Sequence, residues 1–538
     1  MKYLLLLFVA SSFYFLPVLK VPFYNSHDGE AHVARFAAYY KAYQDGQFPA
    51  RWAGDLNFRY GSPLFIFYYP LPGTIASGIH ALGVSFENSF KIIMAFAFIL
   101  APLAFYAWAS VLVKKEVAFL GSFLYGFAPY HFLDLYVRGD IAEIVSFVFV
   151  PLVFLYIEKS KSGINLKNIL FGGVFYALLI LSHNAISLMF SPIFLSYAIV
   201  RARNRKGVLS GVYVLLVGLF LSSFFWIPAL VEGKFVQAAF FIGDMYRLHF
   251  PTLQQLVYSQ WGFGPDIARY DGLSPQIGPV HIVLAFISGL LIFKKTREHK
   301  IISYWFFLFF IVLFLSIRPS DFIWQHVRLL KLFQFPWRFT ALSSFIAAIL
   351  GLYVLDNISN KKVLSIVVIL LFITSIPFLK TKEIPAKNDT FYFAYKGNTD
   401  YHGEASATIW STGDPGKYAK NQIEVIAGNA IVKNLVKKSN LHEFTVDAIS
   451  DATIIDNTIY FPGWQAKVDY KKVPIEFQDI RHRGLITFSV PQGIHKIEVR
   501  FKESPIRLFS DILSVLTIVI IAGALLLQKR VNRILAKL

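Results

Sequence analysis

The chain has 538 residues, of which 56% are hydrophobic and 16% charged, whereas about a quarter of the residues in a soluble domain are charged. This composition excludes an ordinary soluble protein and indicates a membrane protein with several spans, and the absence of cysteine excludes disulfides, thiolate metal sites and a cysteine nucleophile. The net charge of +19 does not indicate nucleic-acid binding, because the basic residues lie mainly in short loops between apolar runs.

Apolar runs of bilayer length recur along the chain and predict about twelve membrane spans. The first run is about 18 residues long, which exceeds the core of a signal peptide, and no small-residue cleavage site follows it, so we interpret it as an uncleaved span. The predicted spans lie near residues 3–20, 90–112, 117–137, 141–157, 168–182, 185–200, 208–230, 278–293, 301–317, 338–355, 363–379 and 508–527.

The loops between the spans alternate in charge, and the basic set is predicted to be cytoplasmic. Both termini then lie in the cytoplasm, and the chain is predicted to be a multi-pass protein of the cytoplasmic membrane. The long loop 21–89 and the segment 380–507 then face the extracytoplasmic side. The basic set consists of residues 114–116, 158–167, 201–206, 294–300, 360–362 and the C-terminal tail.

The predicted fold is a polytopic α-helical membrane domain, residues 1–379, followed by an extracytoplasmic β-sandwich, residues 380–507, and by a last span with a basic cytoplasmic tail, residues 508–538. Within the first loop, residues 31–44 are predicted to form a helix that lies along the membrane surface. Stretch 64–83 is apolar, but its "YYPLPG" breaks a helix, because proline cannot continue one. This stretch is predicted to be interfacial or re-entrant.

The segment after residue 380 alternates polar and apolar residues, which is typical of strands with one buried face. The final link "PQG" is short enough to predict a hairpin between the last two strands. We interpret the sandwich as an acceptor-binding or structural module. The predicted strands are "NQIEVIAG", "HEFTVDAI", "NTIYFPGWQAKVDY", "GLITFSV" and "HKIEVRF".

Carboxylates cluster in the extracytoplasmic loops, although charged groups beside a membrane are costly and usually functional. Asp28 and Glu30 follow the first span, and Asp140 and Glu143 begin the fourth. Such acids can accept a proton or bind a divalent cation, so Asp28, Asp140, Glu143 and the neighbouring His27 are candidate metal ligands. Further acids of these loops are Asp244, Asp266 and Asp271.

Basic side chains are predicted on the same side of the membrane. The forked hydrogen bonds of arginine suit a phosphate group. The candidate phosphate-binding residues are Arg35, Arg59, Arg138, His183 and Arg338.

Each of these residues also has a simpler interpretation. Asp28 can serve only as the N-cap of the helix that follows it. Arg138 and Asp140 can form a solvated ion pair in a short loop, and His183 can be a polar loop residue. The motif "FPWRF" around Arg338 can be an aromatic belt whose arginine reaches towards the membrane surface.

The motifs "HDGEAHVARF", "GDLNFRYGSPLFIFYYPLPG", "YVRGDIAE", "LSHN" and "FPWRF" resemble a group of prokaryotic membrane proteins labelled 6-pyruvoyl-tetrahydropterin synthase-related. Pterin chemistry is not implied, because that soluble synthase needs a cysteine and this chain has none. The long acidic first loop, the many spans and the outward C-terminal domain also resemble the GT-C membrane glycosyltransferases. The stretch beginning "YFPGWQAKVDY" is similar to the outward end domain of a membrane-protein group implicated in sugar modification of envelope polymers.

The GT-C resemblance implies an enzyme that moves a sugar from a polyprenyl-phosphate donor to an extracytoplasmic glycan, lipid or protein, with the membrane lipid as a further partner. It implies that Asp28 acts as base or metal ligand, with Glu30 as a second catalytic acid. Asp140 stands where acids of the next outward loop can bind metal, but it is followed by Glu143 rather than forming a D-x-D pair. The expected cofactor is therefore Mg²⁺ or Mn²⁺, or none. Inversion is expected, because one carboxylate without a nucleophilic partner implies direct displacement.

Two alternatives stay open. A transporter or flippase of lipid-linked envelope intermediates would carry ionisable or helix-breaking residues at mid-bilayer, whereas the apolar runs are mostly uninterrupted. A non-catalytic envelope scaffold would use the sandwich to bind polysaccharide and the spans as an anchor. Such a scaffold would not require Asp28, Asp140 and Arg138 together.

Overall fold

The structure is a computed structural model that describes residues 2–238, 242–267, 272–296, 298–358, 360–395, 397–400, 406–411 and 418–527. Asp271 and the basic tail after residue 527 lie outside the described residues.

Apolar helices dominate the described chain, and each predicted span coincides with at least one of them. Seven described helices are long and apolar enough to cross a membrane, or eight if one bent pair counts as a span, and three more are apolar but shorter. The total of about twelve spans therefore stays a prediction. The described helices, numbered in chain order, are α1 Lys2–Leu19, α2 Gly29–Gln44, α3 Leu64–Phe67, α4 Pro70–Ala81, α5 Phe86–Ala109, α6 Lys115–Gly126, α7 Pro129–Phe132, α8 Ile141–Lys159, α9 Leu166–Ser182, α10 Asn184–Arg201, α11 Arg205–Leu221, α12 Ser223–Glu232, α13 Leu253–Val257, α14 Pro279–Phe293, α15 His299–Ser316, α16 Asp321–His326, α17 Arg328–Lys331, α18 Thr340–Asp356, α19 Lys361–Ser375, α20 Asp389–Phe393 and α21 Pro505–Leu526.

Two predicted spans are not continuous helices. The span predicted over 117–137 ends as an α-helix at Gly126, because Ala128 precedes a proline and is extended, the conformation that a following proline favours. The chain then continues through α7 into a π-helix, Leu133–Arg138. The span predicted over 208–230 bends by 72° between α11 and α12, where the Ser222 hydroxyl donates to the Gly218 carbonyl and competes with the main-chain pattern.

Helix α2 is buried inside the protein, so the prediction that it lies along the membrane surface is wrong. Val33 and Phe36 are buried on one side of the helix, and His32, Arg35 and Tyr39 are buried as well. The helix packs against α4, α5 and α20, and these elements cover the face that was predicted to meet lipid. Stretch 64–83 forms α3 and α4, which together are too short for a continuous span.

Two antiparallel sheets occupy the region between Ile423 and Phe501. One sheet has the strand order β4-β5-β10-β7-β8 and the other has the order β3-β6-β9, while β1 and β2 form a separate pair that joins the first loop to the start of this region. The strands are β1 Phe23–Asn25, β2 Lys382–Ile384, β3 Ile423–Ala427, β4 Ala430–Lys438, β5 Leu441–Ala448, β6 Ala452–Ile459, β7 Trp464–Val468, β8 Lys471–Val473, β9 Leu485–Val490 and β10 Gly493–Phe501.

The predicted hairpin across "PQG" is wrong, because β9 and β10 belong to different sheets. The link carries the chain from one sheet to the other, and the apolar side chains of both strands enter one shared core. Trp52, from the first loop, is part of the same core and contacts the rings of Trp464 and Phe501. The first loop is therefore anchored to the sheets by apolar contacts as well as by the β1–β2 pair.

A buried ion pair links the two sheets. His442 Nδ1 lies 2.6 Å from Asp456 Oδ2, and Gln422 and Thr458 donate hydrogen bonds to Asp456 Oδ1. A buried polar group that loses its hydrogen-bond partner costs about 1 to 3 kcal/mol. We therefore expect Asp456→Asn to lower the free energy of unfolding of the sheets by about that amount, measured by chemical denaturation in detergent micelles and tryptophan fluorescence.

Asp447 provides the matched control, because its pair with Lys433 is solvent-exposed and exposed pairs contribute about 1 kcal/mol or less. Equal losses in Asp456→Asn and Asp447→Asn would show that the buried pair does not hold the two sheets together.

Candidate functional site

The first loop and the loop before α8 are joined by their backbones. The N–H groups of His27 and Asp28 donate to the carbonyl oxygens of Val137 and Arg138, at 2.9 and 2.8 Å. Gly139 has a left-handed backbone, φ 63°, and a Cβ atom there would lie 2.3 Å from the Ser26 hydroxyl. Only glycine fits this approach without strain, so the two motifs "NSHDGEAH" and "VRGDIAE" meet at this point.

Arg138 lies buried among three carboxylates. Its two terminal nitrogens are 2.5 Å from Asp134 Oδ1, 2.6 Å from Asp140 Oδ2 and 2.9 Å from Glu143 Oε1. The π-helix supplies Asp134 and Arg138, the N-cap of α8 supplies Asp140, and its first turn supplies Glu143. All three carboxylates contact the one guanidinium of Arg138, which is thereby compensated for its burial.

Arg338 brings the motif "FPWRF" to the same cluster. Its Nε donates to Glu143 Oε1 at 2.9 Å, and its Nη1 donates to the Phe333 carbonyl at 3.0 Å. The Tyr130 hydroxyl donates to the other Glu143 oxygen at 2.8 Å. We call Asp134, Arg138, Asp140, Glu143 and Arg338 the acid–arginine cluster.

His183 lies between α9 and α10 with its ring against the cluster. Its Nε2 is 3.9 Å from Glu143 Oε1, and the ring stacks on Tyr69, with the centroids 5.2 Å apart. Burial lowers the pKa of His183 to about 4, although Asp140 and Glu143 act in the opposite direction. The ring is therefore neutral at pH 7. Its Nδ1 accepts the N–H of Ile186, so the ring proton is on Nε2.

The Asp28 carboxyl lies beside the acid–arginine cluster and does not cap α2. Asp28 is the N-cap residue of α2, but its side chain makes no capping hydrogen bond. Burial and then the Asp140 carboxylate raise the pKa of Asp28, while Arg138, Arg35 and His27 act to lower it. A carboxyl with a raised pKa is a better proton acceptor when ionised. Because the Asp28 side chain makes no capping hydrogen bond, the interpretation of this carboxyl as only an N-cap is wrong.

The pKa of Asp140 is shifted in the opposite direction to that of Asp28. Burial acts to raise its pKa, but Arg138, with help from His183 and His32, more than offsets burial, and the pKa lies below its ordinary value. The site thus contains one carboxylate that stays ionised and one neighbouring carboxyl that holds its proton to higher pH. Neighbouring carboxyls whose pKa values are pushed apart are typical of catalytic sites.

Arg35 and His32 line the same side of α2 as Asp28. Arg35 lies 4.0 Å above the Tyr68 ring and donates to the Thr399 carbonyl, while its buried Nε has no hydrogen-bond partner among the described residues. Burial and then Arg35 lower the pKa of His32 to about 3, so this imidazole is neutral. Arg35 acts to lower the pKa of Asp28 and is therefore a cation near that carboxyl.

Three predicted site residues lie apart from the cluster. Glu30 forms an ion pair with Lys387 at 2.7 Å. His27 is exposed, and its Nε2 lies 3.0 Å from the Phe263 carbonyl oxygen. Arg59 is exposed on a left-handed turn, φ 70°, and no hydrogen bond or ion pair joins it to the cluster within the described part of the chain.

The simpler interpretations of the other motifs are wrong. The pair between Arg138 and Asp140 is buried rather than solvated, since the two side chains are 5% and 6% exposed. Arg338 is buried and bound to Glu143, so it does not reach towards the membrane surface. His183 is buried as well and caps α10.

Asp134 was missed by the sequence analysis. It is fully buried and lies four residues before Arg138, so the spacing of an acid and an arginine within an apolar run was the available signal. An ionisable residue inside an apolar run is a functional candidate by default. The π-helix that brings Asp134 and Arg138 together leaves no such mark in the sequence.

Asp140, Glu143 and His183 are the described residues whose donor atoms come close enough to suggest a metal site, within 4.8 Å of one another. Asp28 and His27, the other predicted ligands, are not part of this group. The carboxylate oxygens already accept hydrogen bonds from Arg138 and Arg338, and His183 carries its proton on the nitrogen that faces Glu143. These residues therefore do not fit a divalent cation in this arrangement.

Residues 65–381 match the family described as 6-pyruvoyl-tetrahydropterin synthase related domain, membrane protein, so the chain belongs to this family of membrane proteins. The matched part contains the acid–arginine cluster and His183, whereas Asp28 and the two sheets lie outside it. No curated protein matches the chain. Among solved structures, the cryo-EM structure of arabinofuranosyltransferase AftD from Mycobacteria superposes with a TM-score of 0.47 and 14% identity, over 69% of this chain and 26% of that chain.

The close approach at Gly139 can be tested by Gly139→Ala. The left-handed backbone costs a non-glycine residue about 1 to 2 kcal/mol, and the overlap with Ser26 adds about 1 to 3 kcal/mol. We expect a lower free energy of unfolding, measured by chemical denaturation in detergent micelles, because the two loops must separate to admit the methyl group.

Gly46→Ala is the control, because Gly46 has φ 87° and nothing lies within 4 Å of its added Cβ. The control carries the backbone cost without the overlap. The two variants should therefore differ, and an equal loss would mean that the loops do not meet as described.

Proposed function

We propose that the protein is an integral-membrane glycosyltransferase that moves a sugar from a polyprenyl-phosphate donor to an extracytoplasmic glycan, lipid or protein. The observation that carries this proposal is the carboxyl of Asp28, which makes no capping hydrogen bond and lies within electrostatic reach of Asp140 and Arg138 of the buried acid–arginine cluster. A scaffold gains nothing from a partly exposed acid with a raised pKa, and buried ion pairs are weak sources of stability. The GT-C resemblance of the motifs supports the same class.

In the proposed reaction, Asp28 accepts the proton of the acceptor hydroxyl. The acceptor oxygen then forms a bond to the anomeric carbon, while the bond from that carbon to the phosphate oxygen breaks and polyprenyl phosphate leaves with the electron pair. Phosphate is a good leaving group, so one base and a cation that offsets the growing charge are chemically sufficient. Because the neighbouring carboxylates Asp140 and Glu143 are held by arginines, no nucleophilic role is proposed for them, and the displacement is direct and inverts the anomeric centre.

The cluster positions Asp28 in this proposal rather than binding the phosphate. Arg138 and Arg338 are held by Asp134, Asp140 and Glu143, and the backbone of Arg138 fixes that of Asp28. Asp140 raises the pKa of Asp28 as a fixed negative neighbour. Because the candidate ligands do not fit a divalent cation, no step of the proposed reaction uses one. Glu30 is held by Lys387 and orients the start of α2.

The first test is release of polyprenyl phosphate from a panel of polyprenyl-phospho-sugars by the purified protein. We expect Asp28→Asn to lower the rate by at least about 10²-fold, because the amide cannot accept the proton. Wild type should keep its rate in the presence of a metal chelator, since the acids are committed to arginines.

Asp55→Asn is the control on the same loop, because Asp55 is half-buried and paired with Lys437, and its rate should equal that of wild type. Unchanged release by Asp28→Asn would remove Asp28 as the base. Binding of donors without release by any variant would instead favour the transporter.

The pH dependence of release should report the raised pKa of Asp28. The ionised carboxylate is the active form, so the rate falls as the pH falls through this pKa, at a higher pH than for an ordinary aspartate, about 3.9. Arg35 lowers the pKa of Asp28, so we expect Arg35→Gln to move the acid limb to higher pH. The measurement is the pH profile of kcat/KM, with Arg59→Gln as the charge-matched control. An acid limb that stays in place in Arg35→Gln would contradict the assignment of this limb to Asp28.

A further inference from the structure

A second group of cations lies at the same end of the helices as the acid–arginine cluster. Arg247 follows α12 in the loop that leads to α14, and Arg318, Arg328 and Lys331 belong to the segment between α15 and α18. Arg318 Nη1 donates to the Arg247 carbonyl at 2.9 Å, so the two segments are joined. We call these four residues the basic rim.

The rim is built around stacked aromatic rings. The rings of Tyr246 and Trp324 stack with centroids 5.2 Å apart. Arg247 and Lys331 lie 5.9 and 5.8 Å from the Tyr246 ring, and Arg318 lies 5.9 Å from the Phe250 ring. These contacts fix the cations relative to one another without neutralising them.

The rim keeps an excess of positive charge. Asp244 lies 3.8 Å from Arg247 and 3.5 Å from Lys331, and Asp321 acts on Arg247 from farther away. Arg318 and Arg328 form no ion pair within the described residues. Within the described part of the chain, Arg247 and Lys331 share Asp244 as their ion-pair partner, whereas in the buried cluster every guanidinium is matched by carboxylates.

Large apolar side chains are exposed between these cations. Leu248 is 77% exposed and Phe322 is 59% exposed, and Leu329 and Leu332 flank Lys331 with half of their surface exposed. Exposed apolar residues that alternate with arginine and lysine are typical of segments that lie in the interface of a membrane.

We propose that the basic rim binds the phosphate of a membrane-embedded lipid, the lipid-linked sugar donor of the proposed reaction. The proposal as a donor site rests on the proposed function, whereas phosphate binding by the rim does not. The chemistry is charge complementarity, because lysine and arginine near a membrane surface attract anionic head groups. Arg138 and Arg338 already donate to buried carboxylates, whereas the rim residues Arg318 and Arg328 form no ion pair within the described residues.

The surroundings of the rim fit such a lipid. Leu248 and Phe250 line a cavity of about 580 Å³ whose other walls carry Gln254, Gln260 and Tyr258, and uncharged amide and hydroxyl groups suit a neutral sugar. On the other side, Phe333 follows α17 closely and accepts a hydrogen bond from Arg338. Leu248, the chain neighbour of Arg247, thus lines the cavity, and the segment that carries Lys331 continues to Phe333, which contacts Arg338 of the acid–arginine cluster.

The test is direct binding of geranyl phosphate to the full-length protein in nanodiscs of phosphatidylcholine, by microscale thermophoresis. The double variant Arg247→Gln with Arg318→Gln should raise Kd at least about tenfold, because two head-group contacts are lost. Arg247→Lys with Arg318→Lys should bind like wild type, since it keeps both charges, and thereby separates charge loss from misfolding. Lys471→Gln with Lys472→Gln, on the exposed strand β8, is the matched control and should keep the wild-type Kd.

Geranyl alcohol and inorganic phosphate complete the experiment. Both should bind far more weakly than geranyl phosphate, because the first lacks the charge and the second lacks the chain. An unchanged Kd in the glutamine variant, or equally tight binding of the alcohol, would overturn the proposal. Equally tight binding of inorganic phosphate would overturn the lipid as occupant.

The Kd for geranyl phosphate is measured without turnover, so the test of the rim does not depend on the proposed reaction. Asp28→Asn should bind geranyl phosphate with the wild-type Kd, because Asp28 is not part of the rim. If release of polyprenyl phosphate is never seen but the rim variants lose binding, the proposed reaction fails and the rim stands. If release depends on Asp28 but the rim variants bind normally, the proposed phosphate binding by the rim is wrong and the proposed reaction stands.

Discussion

The ion pairs of Arg138 are the interaction on which the site depends. A buried guanidinium loses its hydration, and this cost is offset only when carboxylates surround it with good geometry. Asp134, Asp140 and Glu143 meet that need at 2.5 to 2.9 Å, but only because a π-helix and a left-handed glycine turn the chain sharply before α8. The same turn offers the carbonyl groups that fix the backbone of Asp28. Removal of the arginine side chain would leave three buried acids together without their cation.

The first loop is held at several further points, which explains how a long loop can present one carboxyl reliably. Trp52 is buried in the core of the two sheets, and Arg51 donates to Asp511 on the last helix at 2.6 Å. The fully buried Arg507 joins that helix to Glu232 at 2.8 Å. The sheets, the last helix and the first loop are thus joined by apolar contacts and ion pairs. The strands therefore help to position the first loop through Trp52.

The arginines of the acid–arginine cluster and those of the basic rim differ in burial. The buried ones are neutralised and shape the site, whereas the rim residues Arg247 and Arg318 stay solvent-accessible and keep net positive charge. The difference follows from desolvation, because a buried cation must be paired and a cation at an interface need not be. The family match covers both groups, over residues 65–381, while Asp28 comes from the preceding loop.

The sequence by itself determined the membrane class, the positions of the helices, most of the strands and the motifs that meet at the site, because hydrophobic period and charge are local properties. Asp28, Asp140, Glu143, His183 and Arg338 were all named from their motifs. Only the tertiary structure decided their partners. Whether Arg138 is solvated or buried, whether β9 pairs with β10, and whether α2 meets lipid or protein all depend on segments far away in the chain. The π-helix at Asp134 and the bend at Ser222 likewise follow from packing and local hydrogen bonds that hydropathy does not record.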